Sequence, residues 1–235
     1  MSSLLKRASI VALVASASLG ASAEGLSGKV SFGYLGTSGN SESSSVNAAT
    51  ALSYEQDRWT HNFDAAALGA EDTGETTAEA YSLGLKSDWA INDSSYLFGL
   101  LSWDKDKFSG YDQQISQAVG YGRNLINTDR TQWNAEIGAG ARQSDLRDGS
   151  SESETILRAA TDYTVALTET SEFNATLAIE AGEENTATES LLAIKARLIG
   201  DLALVASYRV RHNSEVPAGS EKRDTFTAIS LEYAF

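Results

Sequence analysis

Apolar and polar residues alternate with a period of two along most of the chain. In the segment 172–183, apolar side chains from Phe173 to Ala181 occupy every second position, and polar or small residues occupy the positions between them. This period is typical of a β-strand with one apolar face. Similar segments lie near residues 25–36, 45–55, 59–70, 78–91, 95–105, 113–125, 131–144, 154–167, 172–183, 188–199, 202–213 and 223–235. The pattern therefore predicts an all-β protein of about twelve strands.

The spacing of these segments predicts a barrel that crosses a membrane. Strands of about 11 to 14 residues are long enough to cross a bilayer at a tilt. Tight connections are expected at 56–58, 92–94, 126–130, 168–171 and 200–201, and mostly longer ones at 37–44, 71–77, 106–112, 145–153, 184–187 and 214–222. An even strand number with alternating short turns and longer loops is typical of outer-membrane barrels, whose short turns face the periplasm. We therefore expect a closed antiparallel transmembrane β-barrel with both termini periplasmic.

The composition of the two strand faces separates this hypothesis from its alternative. A secreted soluble sheet protein would also alternate, but its apolar face would point inward and carry bulkier residues. Here the apolar face is rich in Ala, Leu and Val, whereas the polar face carries charges and glycines. Aromatic residues also cluster towards both strand ends, as expected of two interfacial belts. The membrane barrel is the better interpretation, although strand five is apolar on both faces and its facing stays open.

The two ends of the chain carry export and assembly signals. Basic residues, an apolar stretch from Ala8 to Leu19 and the small residues Ala21-Ser22-Ala23 form the three-part pattern of a secretory signal peptide, removed after Ala23. Residues 24–235 then form a single barrel domain. The chain ends on Tyr233-Ala234-Phe235, and a terminal aromatic resembles the signal that outer-membrane barrels present to the assembly machinery. The expected partners are therefore that machinery, periplasmic chaperones, outer-membrane lipid and lipopolysaccharide, with the barrel itself a monomer.

Composition excludes several classes of function. The net charge of −14 argues against nucleic-acid binding, which requires clustered Lys and Arg. The chain has no cysteine and only two histidines, and no cofactor motif occurs, so neither a metal site nor a cofactor is expected. His61 and His212 fall near opposite rims of the predicted barrel, and no nucleophile motif accompanies them. We therefore do not expect an enzyme.

Several stretches resemble one family. They are YLGTSGNS at 34–41, FSGYD at 108–112, the polar face of strand seven and the segment 208–225. Together they are similar to the YdiY-like salt-induced outer-membrane proteins, the domain-of-unknown-function 481 family. Ala141 stands where the family pattern has an aromatic residue. The resemblance implies an outer-membrane barrel without an established substrate, and the family name suggests a link to salt adaptation.

The polar face is expected to line the lumen and to carry any function. Its basic and acidic residues are nearly balanced in number, and four arginines towards the loop end form a possible basic arc. The arc comprises Arg142, Arg158, Arg209 and Arg211, and its candidate acidic partners are Glu136, Glu154, Glu180 and Asp224. The arc is either a site for an anionic solute or a set of ion pairs that fill the lumen. The leading hypothesis is a narrow passive channel for small solutes or ions, the alternative is a closed structural or surface-interaction barrel, and an outer-membrane enzyme ranks third.

Overall fold

A computed structural model describes residues 25–37, 43–107, 111–217 and 220–235. Within these residues the strands are β1 (Leu26–Thr37), β2 (Ser43–Gln56), β3 (Trp59–Asp72), β4 (Glu75–Asn92), β5 (Ser95–Asp106), β6 (Tyr111–Asn127), β7 (Thr131–Leu146), β8 (Ser151–Ala166), β9 (Ser171–Ala181), β10 (Thr186–Ile199), β11 (Leu202–Asn213) and β12 (Arg223–Ala234). Each strand pairs antiparallel with its neighbours in sequence, and β12 returns to β1. The predicted closed antiparallel barrel of twelve strands is therefore confirmed. The described residues include no helix of the length and apolarity needed to span a membrane, and the predicted signal peptide lies outside them.

The hairpins at the loop end are longer than the sequence pattern predicts. A longer loop was expected over 71–77, but β3 continues to Asp72 and β4 begins at Glu75. Thr73 and Gly74 make the connection, with φ of 50° and 85°. Two successive residues in the left-handed region form the tight turn that suits the twist of a hairpin. The loop prediction at this position is therefore wrong, because the ladder extends past the end of the apolar pattern.

The apolar face of the sheet is the outer surface of the barrel. Val119, Ile137 and Leu157 lie on the adjacent strands β6, β7 and β8, and each is 68% exposed. Near the short turns, Trp133 packs edge-on against Tyr163 with ring centroids 6.4 Å apart. Apolar side chains on an outer wall, with aromatic residues near its edge, match a barrel that is surrounded by lipid.

The sequence pattern did not show which side chains of β5 point into the barrel, and the structure shows it. Phe98 is buried inside the barrel, where its ring lies over Gly120 and Gly138 of β6 and β7. A Cβ added at Gly120 would lie 2.7 Å from Phe98 Cε1, and one at Gly138 would lie 3.0 Å from Cζ. The glycines on the neighbouring strands thus make room for an inward aromatic ring.

The ladder that closes the barrel is short. Among the described residues, β1 and β12 share four Cα pairs, which run from Lys29↔Ala234 to Phe32↔Leu231. Mutual backbone hydrogen bonds of 2.9 Å between Gly28 and Phe235 extend the closure at the turn end. By contrast, β1 is paired with β2 along its whole length. This junction between β1 and β12, which we call the seam, is therefore hydrogen-bonded mainly in the half of the barrel near the termini.

Candidate functional site: the charged lumen

A cavity of about 1140 Å³ occupies the half of the lumen near the short turns. We call it the turn-end vestibule. It extends from the turn residues Asp57 and Asp93 to Arg158 of β8. Its charged lining comprises the basic residues Lys29, Arg58, Lys86 and Arg158 and the acidic residues Asp57, Asp64, Asp88, Asp93, Glu136 and Asp162. Four basic residues against six acidic ones give the vestibule a net charge of −2.

Lys86 organises one wall of the vestibule. Its Nζ lies 2.6 Å from Glu136 Oε1 and 2.9 Å from Asp88 Oδ1. The same ammonium group lies 5.0 Å from the ring centroid of Tyr96 and 5.6 Å from that of Phe98, within the range of cation–π attraction. Tyr96 in turn donates a hydrogen bond of 2.8 Å to Glu136. One ammonium group therefore pairs with two carboxylates on this wall, and the group of three keeps one net negative charge.

The loop end of the lumen holds a densely packed group of charges, the buried arginine cluster, made of Arg142, Arg158, Glu154 and Glu180. Arg142 donates to Glu154 Oε1 from Nε (3.1 Å) and from Nη2 (2.6 Å), and also donates to the backbone oxygen of Asn185. Arg158 Nη1 donates to Glu180 at 3.1 Å, and Glu180 lies 3.7 Å from Arg142 Nη1. The side chain of Arg142 is 2% exposed. The cluster fills the β7–β9 side of the lumen.

A second group of charges reaches across the lumen. Arg211 of β11 donates from Nε to Glu189 Oε2 of β10 at 2.6 Å, and from Nη2 to Asp104 Oδ1 of β5 at 3.0 Å. Arg209 Nε lies 3.8 Å from Glu189. We call Arg211, Asp104 and Glu189 the cross-lumen bridge. Its side chains are 23%, 35% and 39% exposed, so solvent reaches them.

The four arginines of the proposed basic arc all lie inside the barrel, but in two groups. Arg142 and Arg158 belong to the buried cluster, together with Glu154 and Glu180. Arg211 belongs to the cross-lumen bridge, and Arg209 flanks it. Carboxylates therefore contact each of the four guanidinium groups, and the arc is not a continuous positive surface.

The remaining acidic candidates have other surroundings. Glu136 contacts Lys86 and Tyr96 in the vestibule and not the arginines. Asp224 is the Cα partner of Arg211 on the adjacent strand, but the guanidinium group of Arg211 turns to Glu189 and Asp104. The sequence did not reveal Asp104 as a site residue, because the facing of β5 was open. The signal that could have found it is the set of glycines on β6 and β7, which leave room for an inward Phe98 and hence favour an inward Asp104.

The C-terminal aromatic residues lie at the turn end of the seam. Tyr233 is outward-facing and is the Cα partner of Val30. Phe235 pairs with Gly28 through its backbone, and its ring lies above that glycine, where a Cβ would approach within 2.5 Å. His61 stacks on Trp59 with a centroid distance of 5.7 Å, whereas His212 lies on β11 opposite Thr188 and Arg223.

Solved structures share this fold. An outer-membrane channel from Pseudomonas putida F1 matches 93% of the chain over 98% of its own length, with a TM-score of 0.54 and 11% identity. The translocator domain of the autotransporter NalP from Neisseria meningitidis matches 98% of the chain over 95% of its own length, with a TM-score of 0.50 and 12% identity. At these identities the likeness concerns the fold.

The sequence comparisons concern the family. The profile described as "Protein of unknown function, DUF481" matches residues 30–235. The YdiY protein of Escherichia coli K12 is 30% identical over 208 residues, which cover 88% of this chain and 82% of that protein. The structure is a closed barrel of twelve strands with a charge-lined lumen. The chain belongs to the DUF481 family, as the YdiY-like sequence stretches indicated.

Proposed function

We propose that this protein is an outer-membrane barrel that acts as a narrow passive channel for small ions and solutes. The observation that carries the proposal is the turn-end vestibule, a cavity of about 1140 Å³ lined by ten charged residues. Charged walls around a cavity of this size hold water and support passage of hydrated solutes. A barrel of twelve strands also encloses more space than the eight-stranded barrels that side chains fill. The fold shared with the Pseudomonas putida outer-membrane channel is consistent with this role.

The channel is narrow because charged side chains occupy much of the lumen at its loop end. The buried arginine cluster fills one side of the lumen, and the cross-lumen bridge joins opposite walls. Solutes therefore pass through a fraction of the cross-section that twelve strands enclose. We expect single-channel conductance well below that of porins of 16 to 18 strands, whose lumen is an aqueous channel.

The test is single-channel recording of the refolded protein in planar bilayers, with folding checked by circular dichroism and protease resistance. Small discrete steps whose size rises with salt concentration support the channel. Silence from protein that is folded and inserted would contradict it. A heat-unfolded sample of the same protein is the control for leakage through damaged bilayers.

A second candidate is a closed structural barrel, and the buried arginine cluster favours it. The side chain of Arg142 is 2% exposed and Ile156 on the same inner wall is fully buried, so this part of the lumen resembles a packed protein interior. A closed barrel predicts no conductance, together with strong destabilisation when the cluster is disrupted. The same recordings distinguish the two candidates.

The location and orientation belong to the same proposal. Residues 1–23 direct export and are removed, and the barrel of residues 24–235 inserts as a monomer with its termini and short turns in the periplasm. The longer hairpins then face the lipopolysaccharide. Tyr233 and Phe235, at the end of β12, present the assembly signal. N-terminal sequencing and protease protection of the hairpins in whole cells test these assignments.

A further inference from the structure

We infer that the cross-lumen bridge between Arg211 and Asp104 is the constriction that sets what passes through the barrel. This inference rests on the proposed channel function. In the closed strand order, β5 and β11 have five strands between them on either side, so they are opposite walls. The Nη2–Oδ1 distance of 3.0 Å joins these walls directly. The bridge therefore divides the lumen at this height into two parts.

The two parts differ in packing. On the β6–β10 side lies the buried arginine cluster, with Arg142 at 2% exposure. On the other side, the hydrogen-bonded row that starts at Asp104 continues through Ser82, Ala66 and Ala49, residues with short side chains. This row descends towards the turn end, because it reaches β11 at Ala203 and not at Arg211. Short side chains therefore leave space on the β2–β4 wall just below the bridge, and the passage continues there towards the turn-end vestibule.

The bridge differs from the buried cluster in a way that suits a boundary of a passage. Arg211, Asp104 and Glu189 are 23%, 35% and 39% exposed, so the bridge is in contact with solvent. Solvent-exposed ion pairs contribute little to folding stability, whereas loss of one partner from a buried pair lowers that stability strongly. Loss of one partner of the bridge should therefore cost less folding free energy than loss of one partner of the buried arginine cluster.

Arg211 is the fixed half of the bridge and Asp104 is the half that completes it. The guanidinium group is held to Glu189 on the neighbouring strand by a 2.6 Å hydrogen bond, and Glu189 also lies 3.8 Å from Arg209. Asp104 supplies the contact from the opposite wall. Asp104→Asn therefore weakens the cross-lumen contact and leaves the group on β10 and β11 intact.

The experiment compares single-channel conductance of the wild type, Asp104→Asn, Arg211→Gln and a matched control, Glu232→Gln. Glu232 pairs with Lys195 at 2.7 Å across β11, nearer the turn end than the bridge, and does not reach across the lumen. We expect both bridge variants to raise conductance on the order of twofold or more, because a weaker cross-lumen contact lets the two side chains move apart. Glu232→Gln should leave the step size unchanged. In an Asp104→Asn background, Ala66→Phe should reduce conductance again, because it narrows the passage along the β2–β4 wall.

The outcomes separate this inference from the proposed function. If the wild type conducts and both bridge variants have the wild-type step size, the inference is overturned and the channel function stands. If the wild type is silent and the bridge variants conduct, the constriction is supported and the resting barrel is closed. If all folded variants are silent, both proposals fail. A rise in the conductance of Glu232→Gln equal to that of the bridge variants would also overturn the inference, because loss of any ion pair in the lumen would then raise conductance.

Discussion

Glu154→Gln tests whether the buried arginine cluster is a structural element of the barrel. Glu154 uses both carboxylate oxygens: Oε1 accepts from Nε and Nη2 of Arg142, and Oε2 accepts from the backbone N–H groups of Glu184 (2.9 Å) and Asn185 (3.4 Å). Glutamine has the same shape but replaces one oxygen with a donor. One set of N–H groups then faces another donor, and Arg142 loses the negative charge closest to it.

The expected cost follows from burial. The side chains of Arg142 and Glu154 are 2% and 9% exposed, which places the pair among buried ion pairs, where loss of one partner costs about 3 to 5 kcal/mol. Glu180, 3.7 Å from Arg142 Nη1, offers partial compensation, so we expect about 3 kcal/mol. The control is Glu189→Gln, whose side chain is 39% exposed, and there we expect a smaller loss of stability, because water reaches the group.

The measurement is urea unfolding of the barrel in lipid vesicles, followed by the fluorescence of its four tryptophans. Equal destabilisation by Glu154→Gln and Glu189→Gln would refute the reasoning from burial. A double variant with Arg142→Met added should recover part of the loss, because it removes the unpaired buried charge. If the double variant is less stable than Glu154→Gln, the contacts of Arg142 other than the ion pair dominate.

Three further predictions follow from the inner wall and the N-terminus. Gly122→Ala places a Cβ 2.2 Å from the Tyr96 ring and should lower stability by about 1 to 3 kcal/mol in the same unfolding assay, whereas Gly99→Ala, with nothing within 4 Å, should be tolerated. Asp64→Asn removes one of six acidic charges from the vestibule and should lower the preference of the channel for cations. The measurement is the reversal potential in a KCl gradient, and an unchanged potential would contradict a selective role for the vestibule charge. Sequencing of protein extracted from outer membranes should begin at Glu24, and any sequence from residues before it would contradict cleavage after Ala23.

The strand pattern was predictable because its physical cause is local. One face of each strand meets an apolar environment, so a period of two appears in the sequence without knowledge of the partner strands. Phe226 broke this pattern on β12. The structure places it inward as the Cα partner of Arg209, where an apolar side chain lines the lumen. The break is visible in the sequence of β12, but the place of Phe226 beside Arg209 depends on the partner strand.

The contacts across the lumen were not predictable, because their cause is global. Arg211 and Asp104 are 107 positions apart in the chain, on strands that never pair. Their contact depends on how closely opposite walls approach, and no local sequence signal encodes that distance. By contrast, Arg142 and Glu154 are Cα partners on adjacent strands, and both are candidates on their sequence positions alone.

The short seam between β1 and β12 determines how the barrel fluctuates. Opening a ladder of four Cα pairs breaks fewer hydrogen bonds than opening the fifteen-pair ladder between β7 and β8. Local opening therefore begins at the seam, and amide hydrogens that β1 and β12 share should exchange with solvent sooner than those between β7 and β8. In the reverse direction, we expect the seam to form last, so a chain stalled in assembly should resemble an open curved sheet whose first and last strands are unpaired.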